Sequence, residues 1–350
     1  MRAAAPAPGP DVVLTVKAPE QAAAVRRGAG LFRIAHRGLV AVEGSDRVRW
    51  LDGMVSNDVS ALGAGPERSG CHALLLTHQG RIVAELQILW RVDALWLETE
   101  SEAAAPLIEH LQRYIIADAV TLEDRSAAFE RLGLEGPAAP AILERALAGP
   151  LELATDACAD VQVAGRSVVV AAYGWSGEAA FQLFVPSGDG DRVAESLRQA
   201  AAGEGLVEAD SEALEILRIE AGRPRPGADL DETVLPAEAR LERAISRTKG
   251  CYTGQEVVAR LASQGQVAHL LVGLSSEGPA PPGVGSAVIA GDRRIGEVTS
   301  ACLSPAAGAI ALAFVRRAHA APGTEVTLAG VPARVAALPF VEASAREGAP

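Results

Sequence analysis

Short runs in which apolar and polar residues alternate dominate the chain, and stretches of helical spacing interrupt them. Leu31 to Val42 is the first predicted strand region and ends at Glu43-Gly44. Ser45 or Asp46 then caps a predicted helix whose apolar positions are Val48, Leu51, Met54 and Val55. Asn57-Asp58 follows and suits a helix-ending turn. His72 to Leu76 and Arg81 to Arg91 read as strands joined by Thr77-His78-Gln79-Gly80, with Trp96 to Thr99 as a third. The spacing predicts a helix from Ser101 to Tyr114, then strands at Val120 to Glu123 and Ala127 to Leu134. Prolines and glycines between 136 and 150 mark a linker or lobe edge. Val161 to Ala172 and Ala180 to Val185 form a second predicted hairpin. Helices to about Ala202 and Ala221 follow, after which Gly222-Arg223-Pro224-Arg225-Pro226-Gly227 has to leave the helical state.

The texture changes after about Ser263. Leu270 to Leu274, Ser286 to Ala290, Arg293 to Cys302, Ala309 to Val315, Thr324 to Leu328 and Val331 to Leu338 are short β runs between Gly- and Pro-containing turns. That regular spacing predicts a small all-β sandwich or barrel. Mixed elements before it and strands alone within it imply an α+β chain with two architectures.

Composition narrows the picture. The chain has 350 residues, room for two or three domains, and a net charge of −12. An acidic chain has no global attraction to nucleic acid or anionic membrane. Arg218, Arg223, Arg225, Arg240, Arg243 and Arg247 could form a local basic patch, or simply face water. Four separated cysteines, Cys71, Cys158, Cys251 and Cys302, form no C-x-x-C pair, so a reducing cytoplasm fits and no metal site is expected. No run of about 18 apolar residues is present, so no membrane helix is expected. Residues 1–28, rich in Ala and Pro, read as a flexible tail. A monomer is expected.

The stretch Lys249 to Arg260, KGCYTGQEVVAR, concentrates the chemistry. Thr253 and Glu256 have the spacing of a capping box, and Tyr252 with Val257 that of a hydrophobic staple. Cys251 would then sit outside the positive end of a helix with Lys249 near, which favours a thiolate. A buried, inert Cys in a tight turn is the alternative.

These residues resemble the YgfZ proteins, folate-binding relatives of the glycine-cleavage T-protein (GcvT). KGCYTGQE at 249–256 is similar to the family signature. LRIEAGRPRPGADLDETVLPAEA at 217–239, WLDGMVSNDV at 50–59 and YGWSGEAAFQLFVP at 173–186 resemble its other segments, in the family's order. The resemblance covers about residues 30 to 345 and implies a GcvT-like folate-binding fold of two interleaved α+β lobes over 29–265, with a C-terminal β-barrel over 266–345. It implies tetrahydrofolate or a one-carbon derivative as the cofactor. Asn57, Asp58, Tyr173, Glu178, Gln182, Arg218 and Glu220 are the folate-contacting candidates it suggests. Cys251 and Lys249 become the candidate catalytic pair, supported by Gly250, Tyr252, Gly254, Gln255 and Glu256.

Two departures from the T-protein pattern stand out. Its "G-G-x-x-D-D-L" stretch matches Gly80-Arg81-Ile82-Val83-Ala84-Glu85-Leu86, leaving Glu85 but no acid at Ala84. The second Glu of its hairpin is Gln182, an amide that cannot act as a carboxylate base. Both count against glycine-cleavage aminomethyl transfer. The resemblance therefore implies an accessory protein for iron–sulfur cluster assembly or repair, serving cluster enzymes such as radical tRNA-modifying enzymes, with Cys251 central. The competing expectations are a folate-dependent aminomethyl- or methyltransferase using Glu85, and a folate-holding scaffold. His72 and His78, beside the 77–80 turn, are expected to face solvent.

Overall fold

The computed structural model describes residues 17–65 and 69–344. In chain order the elements begin with α1 (Lys17–Arg27), β1 (Ala29–Arg33), β2 (Arg37–Glu43), α2 (Arg47–Met54), β3 (Gly70–Leu76), β4 (Ile82–Trp90), β5 (Ala94–Glu100) and α3 (Ser101–Gln112). There follow β6 (Thr121–Asp124), β7 (Phe129–Glu135), α4 (Ala139–Leu147), β8 (Cys158–Val163), β9 (Arg166–Ala171), β10 (Ala180–Pro186), α5 (Gly190–Ala200), β11 (Leu206–Ala209) and α6 (Ser211–Glu220). The remainder is α7 (Gln255–Gln264), β12 (His269–Ser276), β13 (Ala287–Ala290), β14 (Arg293–Ser304), β15 (Gly308–Arg316), β16 (Glu325–Leu328) and β17 (Val331–Ala336).

One sheet has five strands in the order β3-β4-β5-β2-β6, the other six in the order β11-β1-β7-β10-β9-β8. The strands β12 to β17 close into a barrel. This is the GcvT-like arrangement of α+β lobes with a C-terminal barrel. The predicted run Leu31–Val42 is in fact two strands. The chain breaks at Ile34–His36, and β1 joins one sheet while β2 joins the other. That crossing, with the return from β6 to β7, interleaves the two lobes.

Residues 17–28 are not a tail. Ala18, Ala22 and Val25 recur at spacings of four and three, so one face of α1 is apolar. All three are fully buried, in the same cluster as Leu214, Leu217 and Leu271. The small side chains gave α1 little apolar weight, and its partners lie about two hundred residues away. Residues 1–16 of the expected tail lie outside the described residues.

In β3 and β4, outside a bulge at Leu75–Leu76, alternation divides the hairpin. Ala73, Leu75, Ala84, Leu86 and Ile88 enter one core with Leu51 of α2 and Leu107 of α3. The opposite face carries His72, Glu85 and Gln87. Among the described residues no helix is long and apolar enough to cross a membrane.

Candidate functional site

A cavity of about 250 Å³ opens between the two sheets and the 222–243 segment. The β3–β4 hairpin contributes His72, Glu85 and Gln87, and the loop after β9 contributes Tyr173, Gly174 and Trp175. Asp156, Arg223, Arg240, Leu241 and Arg243 complete most of the wall. Glu85 Oε1 lies 2.8 Å from His72 Nε2. Asp156 pairs with Arg243 at 3.1 Å, and Tyr173 meets Trp175 edge to face at 6.0 Å.

Behind this surface lies a fixed charge cluster. Glu98 is fully buried and takes two bonds from Arg37, at 2.7 and 2.6 Å. Arg131 adds a third at 3.2 Å and also donates to Tyr173 Oη at 3.0 Å. Burial alone would push the Glu98 carboxyl up, but Arg37 and Arg131 beside it hold it below its ordinary value. Arg37 lies 5.4 Å over the Trp175 ring. Glu98 therefore holds Arg131 against Tyr173 and Arg37 against Trp175, and these charges are already paired.

Glu135 does similar work from below. It is fully buried, and its carboxylate accepts from the backbone N–H groups of Ser176 at 2.8 Å and Trp175 at 3.1 Å. Gln182 donates to its Oε1 at 3.2 Å. Burial raises the Glu135 carboxyl above its ordinary range. Gln182 is thus a partner of Glu135 rather than a cavity residue.

Several sequence candidates have other work. Arg218, 2% exposed, meets Asp229 at 2.8 Å and Ser300 Oγ at 2.7 Å, tying α6 to the barrel. Glu220 accepts from Ser304 Oγ at 2.6 Å and from Arg26 at 2.9 Å. Glu178 bonds Arg26 at 2.8 Å and the Ser344 backbone N–H at 3.0 Å. Asn57 Nδ2 donates to the His72 carbonyl at 2.7 Å, and Asp58 caps the following turn through Ser60 and Ala61. None of the six with Gln182, namely Asn57, Asp58, Glu178, Arg218 and Glu220, lines the cavity; Tyr173 does. The resemblance suggested them as a ligand set, but their partners are remote in sequence.

The 249–256 motif is a clamp in this structure. Gly254, not Thr253, is the N-cap of α7, and its φ of +85° places it in the left-handed region. No side chain caps the helix, so the capping box does not form. A Cβ at Gly254 would meet the Thr77 carbonyl oxygen at 2.6 Å, so glycine lets the motif press on the β3–β4 turn. Tyr252 is buried in a cluster with Leu74, Leu76 and Ile82. That cluster includes Val258 and not the Val257 of the expected staple. The Lys249 ammonium bonds the carbonyls of Asp52, Val55 and Asn57, at the C-terminal end of α2. Burial lowers its pKa, against the opposing pull of the Asp52 carboxylate beside it. Cys251 is exposed and does not line the cavity. Glu256 is exposed on α7.

Cavity residues that escaped the sequence reading include Arg37, Gln87, Glu98, Asp156 and Trp175. His72 lies in a strand as expected, but it faces the cavity rather than solvent. Alternation from buried Leu75 would have found it. The same alternation re-weighs the two departures noted in the sequence. Position 84 points into the core and position 85 into the cavity, so Ala84 removes no cavity acid.

Residues 15–249 match the model of the GCVT N-terminal domain, and residues 270–342 that of the glycine cleavage T-protein C-terminal barrel domain. An aminomethyltransferase of Streptomyces avermitilis is 33% identical over 330 residues, covering 91% of this chain and 87% of the relative. One from Streptomyces coelicolor is 33% identical, with 92% and 88% covered. The crystal structure of the glycine cleavage system aminomethyltransferase T from Bartonella henselae is similar, with a TM-score of 0.82 and 26% identity. It covers 93% of this chain and 90% of its own. These relatives overturn the expectation of an iron–sulfur assembly or repair factor, along with its cluster-enzyme and tRNA-modification partners. They favour the transferase alternative.

Proposed function

The chain belongs to the glycine cleavage T-protein family, and we propose that it is a folate-dependent transferase moving an amine-borne one-carbon unit, of the aminomethyltransferase type. The observation that carries this reading is Glu85, a carboxylate facing the cavity and bonded to His72. Its strand position matches the acid pair of the T-protein pattern. Tetrahydrofolate is the proposed acceptor and, when bound, supplies the nitrogen that receives the one-carbon unit.

The lining suits such a group. A flat heterocycle with an amino-pyrimidine edge needs an aromatic or apolar face and a few polar groups in its plane. Tyr173, Trp175 and Leu241 supply faces, and Gln87 and Asp156 supply hydrogen-bonding edges. Glu85 Oε1 holds or releases the proton of a reacting amine, and His72 Nε2 fixes that carboxylate from the neighbouring strand. The Arg37–Glu98 and Glu135 anchors keep Tyr173 and Trp175 in place and exclude water from that wall.

Within the family, KGCYTGQE supports a place near the YgfZ branch, without that branch's iron–sulfur role. In this reading Cys251 takes no part in transfer, and Lys249, Gly250, Tyr252, Gly254 and Gln255 belong to the loop that braces the catalytic hairpin. The cytoplasm remains the proposed setting, since Cys71, Cys158, Cys251 and Cys302 are all free thiols. The test supplies purified protein with tetrahydrofolate and an aminomethylated donor, and measures ammonia release and the methylene form of the folate. Folate-dependent ammonia release that disappears in Glu85→Gln is expected. Equal activity in that variant would refute the assignment.

A further inference from the structure

The arginines around the centre of the molecule are matched with carboxylates. Arg37 meets Glu98 and Glu100, Arg131 meets Glu98, Arg218 meets Asp229, and Arg243 meets Asp156. Arg223 is different. It lines the cavity, donates to the Gly174 carbonyl, and has no carboxylate within ion-pair distance among the described residues.

The fold puts it there deliberately in geometric terms. Helix α6 ends in a Schellman motif: the Gly222 N–H donates to the Ile219 carbonyl and the Arg223 N–H to that of Arg218, both at 2.9 Å. Gly222, at a φ of +68°, supplies the left-handed residue this needs, and Pro224 blocks any return to helix. Position 223, which in this motif usually makes an apolar contact back to the helix, here carries a guanidinium into the cavity. Burial lowers its pKa below the ordinary arginine value. A second arginine of the wall, Arg240, donates to the Leu271 carbonyl at 2.8 Å and has no other hydrogen-bond partner among the described residues, with its backbone at a φ of +59°. The half-buried Arg223 guanidinium faces the cavity without a carboxylate in ion-pair contact among the described residues, and a ligand carboxylate would take two parallel bonds from it.

We propose that Arg223 is a carboxylate-binding subsite of this cavity, receiving the acid group of a bound small molecule whose nitrogen faces Glu85. Glu85 and Arg223 line the same cavity, so one ligand of opposite ends spans the two. That carboxylate belongs either to the glutamate tail of the folate or to an amino-acid donor of the one-carbon unit. The proposal rests on the transferase reading for its choice of ligands.

Calorimetric titration of the full chain with two acid–ester pairs tests it. One pair is tetrahydrofolate and its dimethyl ester, the other N-methylglycine and its methyl ester. The wild type is expected to bind the acid of one pair at least about tenfold more tightly than the ester, and Arg223→Gln to lose that preference. The pair affected identifies the source of the carboxylate. No acid preference in either pair, or one that survives Arg223→Gln, overturns the subsite. Should Arg223→Gln lose ester binding as well, Arg223→Lys decides: acid preference there supports the subsite, and its absence overturns it. Turnover is not read in these titrations. Acid preference without any transfer activity would therefore sink the transferase reading and leave the subsite standing.

Discussion

Glu85 and His72 sit on neighbouring strands and face one cavity, with Oε1 and Nε2 2.8 Å apart. The pair gives the cavity a proton acceptor whose orientation is fixed by a second titratable group. Replacing Glu85 by Gln keeps the shape and a hydrogen bond to His72 but removes the base. Transfer should fall by about 10²-fold or more, while tetrahydrofolate affinity changes by less than about threefold. Steady-state rates and equilibrium titration on the same preparation check both numbers.

His36 provides a pH signature. Burial and the neighbouring Arg37 and Arg225 lower its pKa from 6.5 to about 4, against the opposing pull of Glu98 and Glu215. The unfolded chain therefore binds a proton that the folded chain does not between those values. Stability conferred by the neutral imidazole is complete above pH 6.5 and is lost as the pH falls towards 4. After allowance for partial exposure the loss is about 1–2 kcal/mol. Urea unfolding across that range should show a smaller slope in His36→Gln than in the wild type.

Lys249 closes the C-terminal end of α2 through three carbonyls and the Asp52 carboxylate. Lys249→Met removes this donor from the three carbonyls, while the Asp52 carboxylate keeps the Val59 and Ser60 backbone N–H groups. Destabilisation by about 3 kcal/mol is expected, read as a lower denaturation midpoint with unchanged slope. A change below about 0.5 kcal/mol would contradict the cap.

The four cysteines should separate by reactivity. Cys251 is exposed, Cys158 and Cys302 are buried, and burial pushes the Cys71 thiol up to about 12. Alkylation of the native protein should modify Cys251 first and the others only on unfolding. Cys251→Ala should keep folate affinity and transfer rate within about twofold, since the side chain lies outside the cavity. A tenfold loss of either would return the thiol to the mechanism.

Much of this architecture could be read from residue order, because the periodicities are local. The β3–β4 hairpin and the barrel strands follow from alternation and turn residues alone. What could not be read depends on partners far along the chain. Arg218 and Glu220 look like ligand groups on a helix, yet Ser300 and Ser304 of β14 claim them. Thr253 and Glu256 have capping-box spacing, but Gly254 adopts the left-handed backbone and takes the cap position. Trp175 was visible only as part of a matching hairpin; its role depends on Glu135 and Arg37, which belong to two different sheets. The choice between positions 84 and 85 needed no remote contact, only the phase of one strand.

The first segment of the chain has a consequence for synthesis. Arg26 reaches Glu178 and Glu220, and β1 pairs in parallel with β11 from Ala29 opposite Leu206. A ribosome therefore releases residues 17–33 long before any of these partners exists. Early in translation α1 is an apolar-faced segment without a surface to cover it, and long-range closure of this kind is slow. The amino-terminal end is thus among the last parts of the lobes to settle, and shortening it to simplify expression would leave two buried carboxylates without their cation.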